Sequence, residues 1–195
     1  MTIGTNASPG SSAGANASNG LLYVPYNRYT QLSAYVDAGT GYAGNTYTVD
    51  VAGKATNWGP GPSQLVAYPA PGETGVPRGT SSAENPNPLP DTPARQIGIP
   101  ISLLGAFGES LTISTITLAD PSGAAIPGRL VVTNTDTGAS LGNNGFFVPM
   151  PPWTSPPTAT TTGMLEKNTT YKVAATGPYR GTGFSFTWSF TTSNQ

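Results

Sequence analysis

The feature that most constrains this chain is a series of short runs near its C-terminus in which apolar and polar residues alternate. In "GFSFTWSFTT" (183–192), residues 184, 186, 188 and 190 are aromatic, and residues 185, 187, 189 and 191 are serines and threonines. Successive side chains of a β-strand point to opposite faces of the sheet, so the alternation predicts a strand with one face in a core and the other in water. The runs predict these core residues: Phe184, Phe186, Trp188, Phe190, Tyr171, Val173, Ile116 and Leu118.

Comparable runs precede this one, and turn-forming residues separate them. They cover 97–105, 111–120, 128–135 and 168–177, with "DPSG" at 120–123 as one of the turns. The chain also has 25 glycines, 20 prolines and only 9% charged residues, a composition that disfavours long helices. We therefore predict an all-β protein whose main unit, residues 95–195, is an antiparallel β-sandwich of about seven strands.

A smaller segment precedes this unit. Residues 1–20 are rich in Gly, Ser, Ala and Asn and lack charged and aromatic residues, so we predict a flexible tether that has too little apolar area to fold. Residues 21–68 are predicted to hold a short helix from about Pro25, a glycine turn at 37–43, and strands at 45–53 and 64–69. We expect this segment to pack against the sandwich.

The stretch 69–94 is unusually rich in proline. Proline lacks a backbone N–H and fixes an extended backbone, so the stretch predicts a poorly hydrogen-bonded connector between the small segment and the main unit. Its prolines are at positions 69, 71, 77, 86, 88, 90 and 93.

Composition also limits the chemistry that the chain can perform. It has no cysteine and no histidine, which removes the thiolate nucleophile, the commonest metal ligand and the usual proton-transfer group. The acidic residues Glu73, Glu84 and Asp91 are separated by flexible Gly/Pro/Ser spacers that fix no carboxylate pair. The net charge is −1 with scattered basic residues, and no apolar window is long enough to span a bilayer. We predict no enzymatic activity, no cofactor, no metal, no nucleic acid partner and no membrane span.

Three aromatic residues are candidates for ligand binding. Trp58 in "TNWGPGP" and Trp153 in "PMPPWTSPP" lie in Pro/Gly-rich loops, where strand periodicity does not explain them. With Tyr179, they could stack on a sugar ring or on the apolar patch of a partner. The alternative is that each tryptophan closes one end of the sandwich as part of the core.

Several stretches resemble two known kinds of bacterial domain. "LEKNTTYKVAATG" through "FTWSFTT" resembles the end of a bacterial Ig-like, S-layer-type sandwich domain, and "VAYPAPGETGVP", "AENPNPLPD" and "IGIPISL" resemble the region after the CAP (SCP-like) domain of secreted bacterial proteins. "VPYNRYTQL" and "DAGTGYA" resemble the last helix and turn of such a CAP domain, with Asn27 where that family usually has histidine. The first match is carried by Leu165, Thr169, Tyr171, Trp188, Phe190 and Thr192.

The resemblance implies an Ig-like sandwich and a bacterial protein that is secreted or located in the cell envelope. The segment 1–20 resembles the spacer that follows a signal peptide or a lipid-anchored cysteine. Three functions follow as alternatives. The first is a non-enzymatic module for surface display, adhesion or protein interaction. The second is a module that binds cell-wall glycans through Trp58, Trp153 or Tyr179. The third is a degenerate CAP-like domain with a cleft for a lipid or small ligand.

Overall fold

The regular secondary structure of the described residues is mostly antiparallel β-sheet. The computed structural model describes residues 4–9, 20–32, 37–43, 46–52, 64–85, 87–91, 96–106, 109–132, 144–150 and 163–195. Within these ranges, residues 20–23 are helical and lead into helix α1, Pro25–Leu32. The strands are β1 (Gly4–Pro9), β2 (Asp37–Ala43), β3 (Thr46–Ala52), β4 (Val66–Tyr68), β5 (Gly79–Ser81), β6 (Gln96–Gly98), β7 (Ile101–Leu104), β8 (Thr115–Ala119), β9 (Ala125–Ile126), β10 (Gly128–Val132), β11 (Asn144–Pro149), β12 (Thr170–Tyr179) and β13 (Thr182–Thr191).

Two four-stranded antiparallel sheets form the main body. Their strand orders are β10-β11-β7-β4 and β13-β12-β8-β9. Both sheets contribute to one hydrophobic core, since Ile101 and Leu103 of β7 cluster with Leu118, Val173 and Trp188 from the other sheet. A three-stranded sheet, β1-β3-β2, and a two-stranded sheet, β5-β6, complete the architecture. The prediction of an all-β protein is confirmed, and the two packed sheets fit a β-sandwich.

The predicted core residues lie in or beside this core. Phe184 and Phe186 are half-buried and pack against it, while the others are buried. The buried residues among those predicted are Ile116, Leu118, Tyr171, Val173, Trp188 and Phe190. Alternation along a strand therefore identified the inner face of the β8-β12-β13 sheet correctly, because the outer face of these strands is solvated.

Two predictions for the first part of the chain are wrong. Gly4–Pro9, assigned to the tether, forms β1 and pairs with β3 from Gly4–Val51 to Pro9–Thr46. Residues 37–43, assigned to a glycine turn, form β2 on the other side of β3. Backbone N–H and C=O groups make these ladders whatever the side chains are, so a lack of apolar residues does not prevent a strand from forming.

The connector prediction for residues 69–94 is also wrong. The amide of Val76 donates to the Thr191 carbonyl (3.1 Å), and the amide of Ser193 donates to the Val76 carbonyl (2.7 Å). Strand β5 lies within this stretch and pairs with β6. Val76 and Leu89 are buried. The prolines do not prevent integration because non-proline residues between them supply the hydrogen bonds.

The predicted boundary between 21–68 and 95–195 does not separate two structural units. Strand β4 pairs with β7 at Val66–Leu104 and Tyr68–Ser102, so the first segment contributes a strand to a main sheet. Helix α1 packs against that sheet, with the Tyr26 ring 5.5 Å from the ring of Phe146. The predicted run 97–105 is two strands, β6 and β7, interrupted at Pro100 because proline has no N–H for a continuous ladder.

Candidate functional site

The outer side of the β8-β12-β13 sheet is a regular field of hydroxyl side chains, which we call the hydroxyl face. The alternation that sends aromatic residues into the core sends threonines and serines outward. The strand register places them in rows, for example Thr115 beside Thr176 and Thr170 beside Thr191. The hydroxyl face consists of Thr115, Thr117, Ala119, Thr170, Lys172, Ala174, Thr176, Ser185, Thr187, Ser189 and Thr191.

Hydrogen bonds between neighbouring strands order part of this face. The hydroxyls of Thr115 and Thr176 are 2.7 Å apart, and those of Thr170 and Thr191 are 2.9 Å apart. Cross-strand threonine pairs of this kind stabilise a sheet and restrict the side-chain rotamers. Lys172 is the charged member of the set and is exposed. The face is therefore a polar and nearly neutral surface with partly fixed donor and acceptor positions.

A shallow pocket of about 560 Å³ lies on this face. Its lining includes Lys172, Thr170 and Thr187 on the sheet, and Asp120 in the turn after β8. The Asp120 carboxylate accepts hydrogen bonds from the Ser122 hydroxyl (2.6 Å), the Ser122 amide (2.9 Å) and the Ala124 amide (2.9 Å). These bonds, led by that of the Ser122 hydroxyl, hold the pKa of Asp120 below its usual value. Its lining also includes apolar residues such as Ala119 and Pro121, so the pocket combines a fixed carboxylate, a lysine and several hydroxyls with apolar surface.

A second cluster of polar groups lies beneath helix α1 and is buried. Arg28 is 0% exposed. Its Nε donates to the Leu22 carbonyl (2.6 Å) and its Nη1 donates to the Pro100 carbonyl (2.7 Å) and to the Ser102 hydroxyl. The guanidinium also lies 4.0 Å from the centre of the Tyr68 ring. Carbonyl dipoles and an aromatic face therefore replace water around this cation.

Burial makes the charged form of Arg28 less favourable, but the guanidinium stays charged. Desolvation lowers the pKa of Arg28 to about 10, while the nearby tyrosines and glutamates act in the opposite direction. The guanidinium consequently stays protonated at neutral pH. Arg28 donates to the Leu22 carbonyl, to the Tyr23 carbonyl (3.2 Å) and to Ser102 in β7, so it holds the helical segment to the main sheet.

Glu84 caps the N-terminus of helix α1 from the proline-rich stretch. Its two carboxylate oxygens accept from the amides of Asn27 (2.8 Å) and Tyr26 (3.3 Å) in the first turn of the helix. Burial is the dominant effect on this group and raises the pKa of Glu84 to about 7, although the two amides and Arg28 favour its charged form. Stability should therefore respond to pH between about 4.5 and 7.

We predict that Glu84 makes the protein less stable as the pH rises from about 4.5 to 7. The unfolded chain releases this proton near pH 4.5, whereas the folded protein holds it until about pH 7. The retained proton contributes fully to the free energy of unfolding below pH 4.5. This contribution is lost by about pH 7, which lowers the free energy of unfolding by at most roughly 3 kcal/mol. Glu84→Gln cannot ionise and keeps one acceptor oxygen, so it should lack this loss.

The measurement is the free energy of unfolding of the wild-type and Glu84→Gln proteins by urea titration at several pH values. The difference between the two proteins cancels the other titrating groups. If the two pH profiles run parallel between pH 4.5 and 7, Glu84 does not titrate in this way.

The sequence-predicted site residues do not come together in a described site. Trp58 and Trp153 lie outside the described residues. Tyr179 is only 7% exposed, and its hydroxyl accepts from the amide of Ala106 (3.0 Å). A buried ring cannot offer the free face that a sugar would stack on, so Tyr179 does not fit the predicted ligand-binding role.

The three acidic residues weighed as a catalytic group have separate structural partners. Glu84 caps α1, Glu73 accepts from the amide of Ala70 (2.7 Å), and Asp91 forms an ion pair with Arg129 (2.5 Å). Across the described ranges, His, Cys, Asp and Glu residues form no group of three that could hold a metal ion. In the same ranges, no helix combines the length and apolar character needed to cross a bilayer.

Sequence reasoning missed the two residues that now characterise the candidate sites. Nothing in "VPYNRYTQL" distinguishes a buried Arg28 from an exposed one, because two of its partners, Pro100 and Ser102, are more than 70 residues away. Lys172 could have been found, since strand alternation places it among outward-facing threonines. Comparison with known proteins adds no further site: no family model matches the chain, and no curated protein matches it.

Proposed function

We propose that this protein is a non-enzymatic module of the bacterial cell envelope or of the secreted fraction, built on an Ig-like sandwich and used for surface display or adhesion. The observation that carries the proposal is the hydroxyl face. It exposes the side chains of Thr117, Thr176 and Thr187 on a sheet whose other face packs into the hydrophobic core. Such a surface can make many weak polar contacts without a reactive group.

The positions of the charged residues support a structural rather than a catalytic protein. Arg28 and Glu84 hold helix α1 in place, and Asp91 and Glu73 stabilise loops. In each case the hydrogen-bonding capacity of the group contributes to folding. A catalytic acid or base instead needs an accessible proton and a neighbouring reactive group.

Binding of a cell-wall glycan is the second candidate, and the pocket beside Lys172 is the observation that favours it. Sugars present dense hydroxyl groups, which the Asp120 carboxylate and the hydroxyls of Thr170 and Thr187 can match. Lys172 adds a cation that fits the carboxylates of acidic sugars or of stem peptides. This version of the glycan hypothesis uses the sheet surface instead of Tyr179.

A pull-down experiment separates these two functions. The labelled protein is incubated with intact bacterial cells and with purified insoluble peptidoglycan, and the bound fraction is measured against protein concentration. Thr117→Glu/Thr187→Glu, which places two carboxylates on the hydroxyl face, should abolish binding to cells if this face is adhesive. Lys172→Ala should weaken binding to peptidoglycan about tenfold if the pocket binds glycan, since a charge-assisted hydrogen bond contributes about 1.5–3 kcal/mol.

Lys167→Ala is the matched control, because Lys167 is also exposed but lies in the turn before β12 and outside the hydroxyl face. It should bind both materials as the wild type does. Binding to cells that the double variant leaves unchanged would contradict adhesion through this face. Turnover of an ester, glycan or peptide by protein that lacks Glu73, Glu84 and Asp91 would contradict the non-enzymatic proposal as a whole.

A further inference from the structure

Strand β13 is an edge strand, and only part of its free edge is covered by described residues. It pairs with β12 through its even-numbered residues, so the N–H and C=O groups of its odd-numbered residues point away from the sheet. Around residues 189–193 these groups are satisfied by the segment 72–76. The Ser189 carbonyl accepts from the Gly72 amide (2.8 Å), and the Thr191 amide donates to the Glu73 carbonyl (2.8 Å).

The other half of this edge, Gly183–Thr187, has no such cover in the described part of the chain. We call it the β13 edge. Gly183, Ser185 and Thr187 are exposed, and their outward backbone groups have no described hydrogen-bond partner. Phe184 and Phe186 on the inner side are half-buried. Open edges of this kind readily pair with a further strand.

The sequence of the edge, "GFSFT", is nearly the same in both directions about Ser185. An antiparallel copy centred on Ser185 would place Ser185 opposite Ser185, Gly183 opposite Thr187, and Phe184 opposite Phe186. The outward groups of residues 183, 185 and 187 then form three facing pairs, each able to exchange two hydrogen bonds. We infer that the β13 edge binds a second copy of this chain, forming a two-fold symmetric dimer with a continuous sheet.

Side-chain chemistry favours this partner over an unrelated strand. No charged residue lies between Thr182 and Thr187, so two copies meet without like-charge repulsion. Each Phe184 faces a Phe186 across the interface, and aromatic cross-strand pairs stabilise antiparallel sheets. The Phe186 ring already stacks on Trp188 at 4.9 Å, which fixes its position. The dimer would also join two hydroxyl faces into one wider surface, but it does not depend on the proposed function.

The register gives a sharp test, because Gly183 of one copy faces Thr187 of the other. Both positions are exposed, and an added Cβ at Gly183 meets no atom within 4 Å, so charged side chains should be tolerated there. Gly183→Lys/Thr187→Lys puts like charges opposite each other and should abolish the dimer. Gly183→Lys/Thr187→Glu puts opposite charges there and should restore it.

The readout is sedimentation equilibrium of the full chain over a range of concentrations, with hydrogen exchange of the Ser185 and Thr187 amides. The wild type should dimerise with concentration, and both amides should become more protected as it does. Circular dichroism confirms that each variant is folded.

Three results would overturn the inference: a wild type that stays monomeric, a dimer that the two-lysine variant leaves intact, or amides already protected in the monomer. The last result would mean that the chain covers its own edge. The first result together with binding of an added peptide strand would mean that the edge takes a partner other than a second copy.

Discussion

Replacing Arg28 with alanine should destabilise the protein by about 3–5 kcal/mol or more. The substitution leaves a cavity at a position that is fully buried. It also removes the donors that satisfy the carbonyls of Leu22 and Pro100 and the Ser102 hydroxyl. Each buried acceptor left without a partner costs about 1–3 kcal/mol. The measurement is the free energy of unfolding from urea titration, with hydrogen exchange to follow helix α1.

Two control variants separate packing from hydrogen bonding at this site. Arg28→Met fills most of the volume and avoids burying a charge, but it donates no hydrogen bond to Leu22 or Pro100. Arg28→Lys keeps the charge but has a single nitrogen, which cannot reach carbonyls on both sides of the guanidinium. We expect both to be less stable than the wild type, with faster exchange in α1. If Arg28→Met is as stable as the wild type, the hydrogen bonds contribute nothing net, as replacements of some buried ionic groups have shown.

Replacing Trp188 with alanine should have a comparable effect, about 3–5 kcal/mol, which corresponds to a fall of roughly 10 °C in Tm for a chain of this size. The indole is buried in the main core and stacks on Phe186. Its Nε1 donates to the carbonyl of Pro69 at 2.9 Å, which ties the proline-rich stretch to β13. The substitution therefore removes packing and leaves a carbonyl without its donor.

Trp188→Phe is the matched control for this prediction. It keeps an aromatic ring in the core but has no N–H for Pro69, so we expect a smaller loss of about 1–3 kcal/mol. Thermal denaturation followed by circular dichroism measures both variants. A Tm of Trp188→Ala within a degree or two of the wild type would show that this aromatic face is not the centre of the core.

The proline-rich stretch shows how far local sequence rules reach in this protein. Seven prolines between 69 and 93 predict an extended backbone, and they do not predict what lies beside it. In the structure, Val76 pairs with the end of β13, Glu84 caps α1 and Leu89 is buried. The prediction of a poorly hydrogen-bonded connector was wrong because the partners of this stretch are distant in sequence.

Some of the candidate sites could likewise be predicted from the sequence, and others could not. The hydroxyl face follows from the alternation of β12 and β13, and the turn at Asp120 follows from its "DPSG" sequence. The open β13 edge does not follow from sequence, because the cover on its other half comes from Gly72 and Glu73. The resemblance to a CAP-linked Ig-like domain, and the bacterial envelope or secreted localisation that it implies, remain predictions.

The sequence by itself determined the strands that have one apolar and one polar face. Alternation of apolar and polar residues depends only on whether each side chain faces the core or water. This is why β8, β12 and β13, their inner aromatic face and their outer threonines could be recognised from residues such as Ile116, Tyr171 and Trp188. The tertiary structure alone decided that β4 joins β7, that β1 forms a strand, and that Arg28 is buried. These outcomes depend on backbone hydrogen bonds, which nearly every residue type can make, and on contacts between residues far apart in the chain.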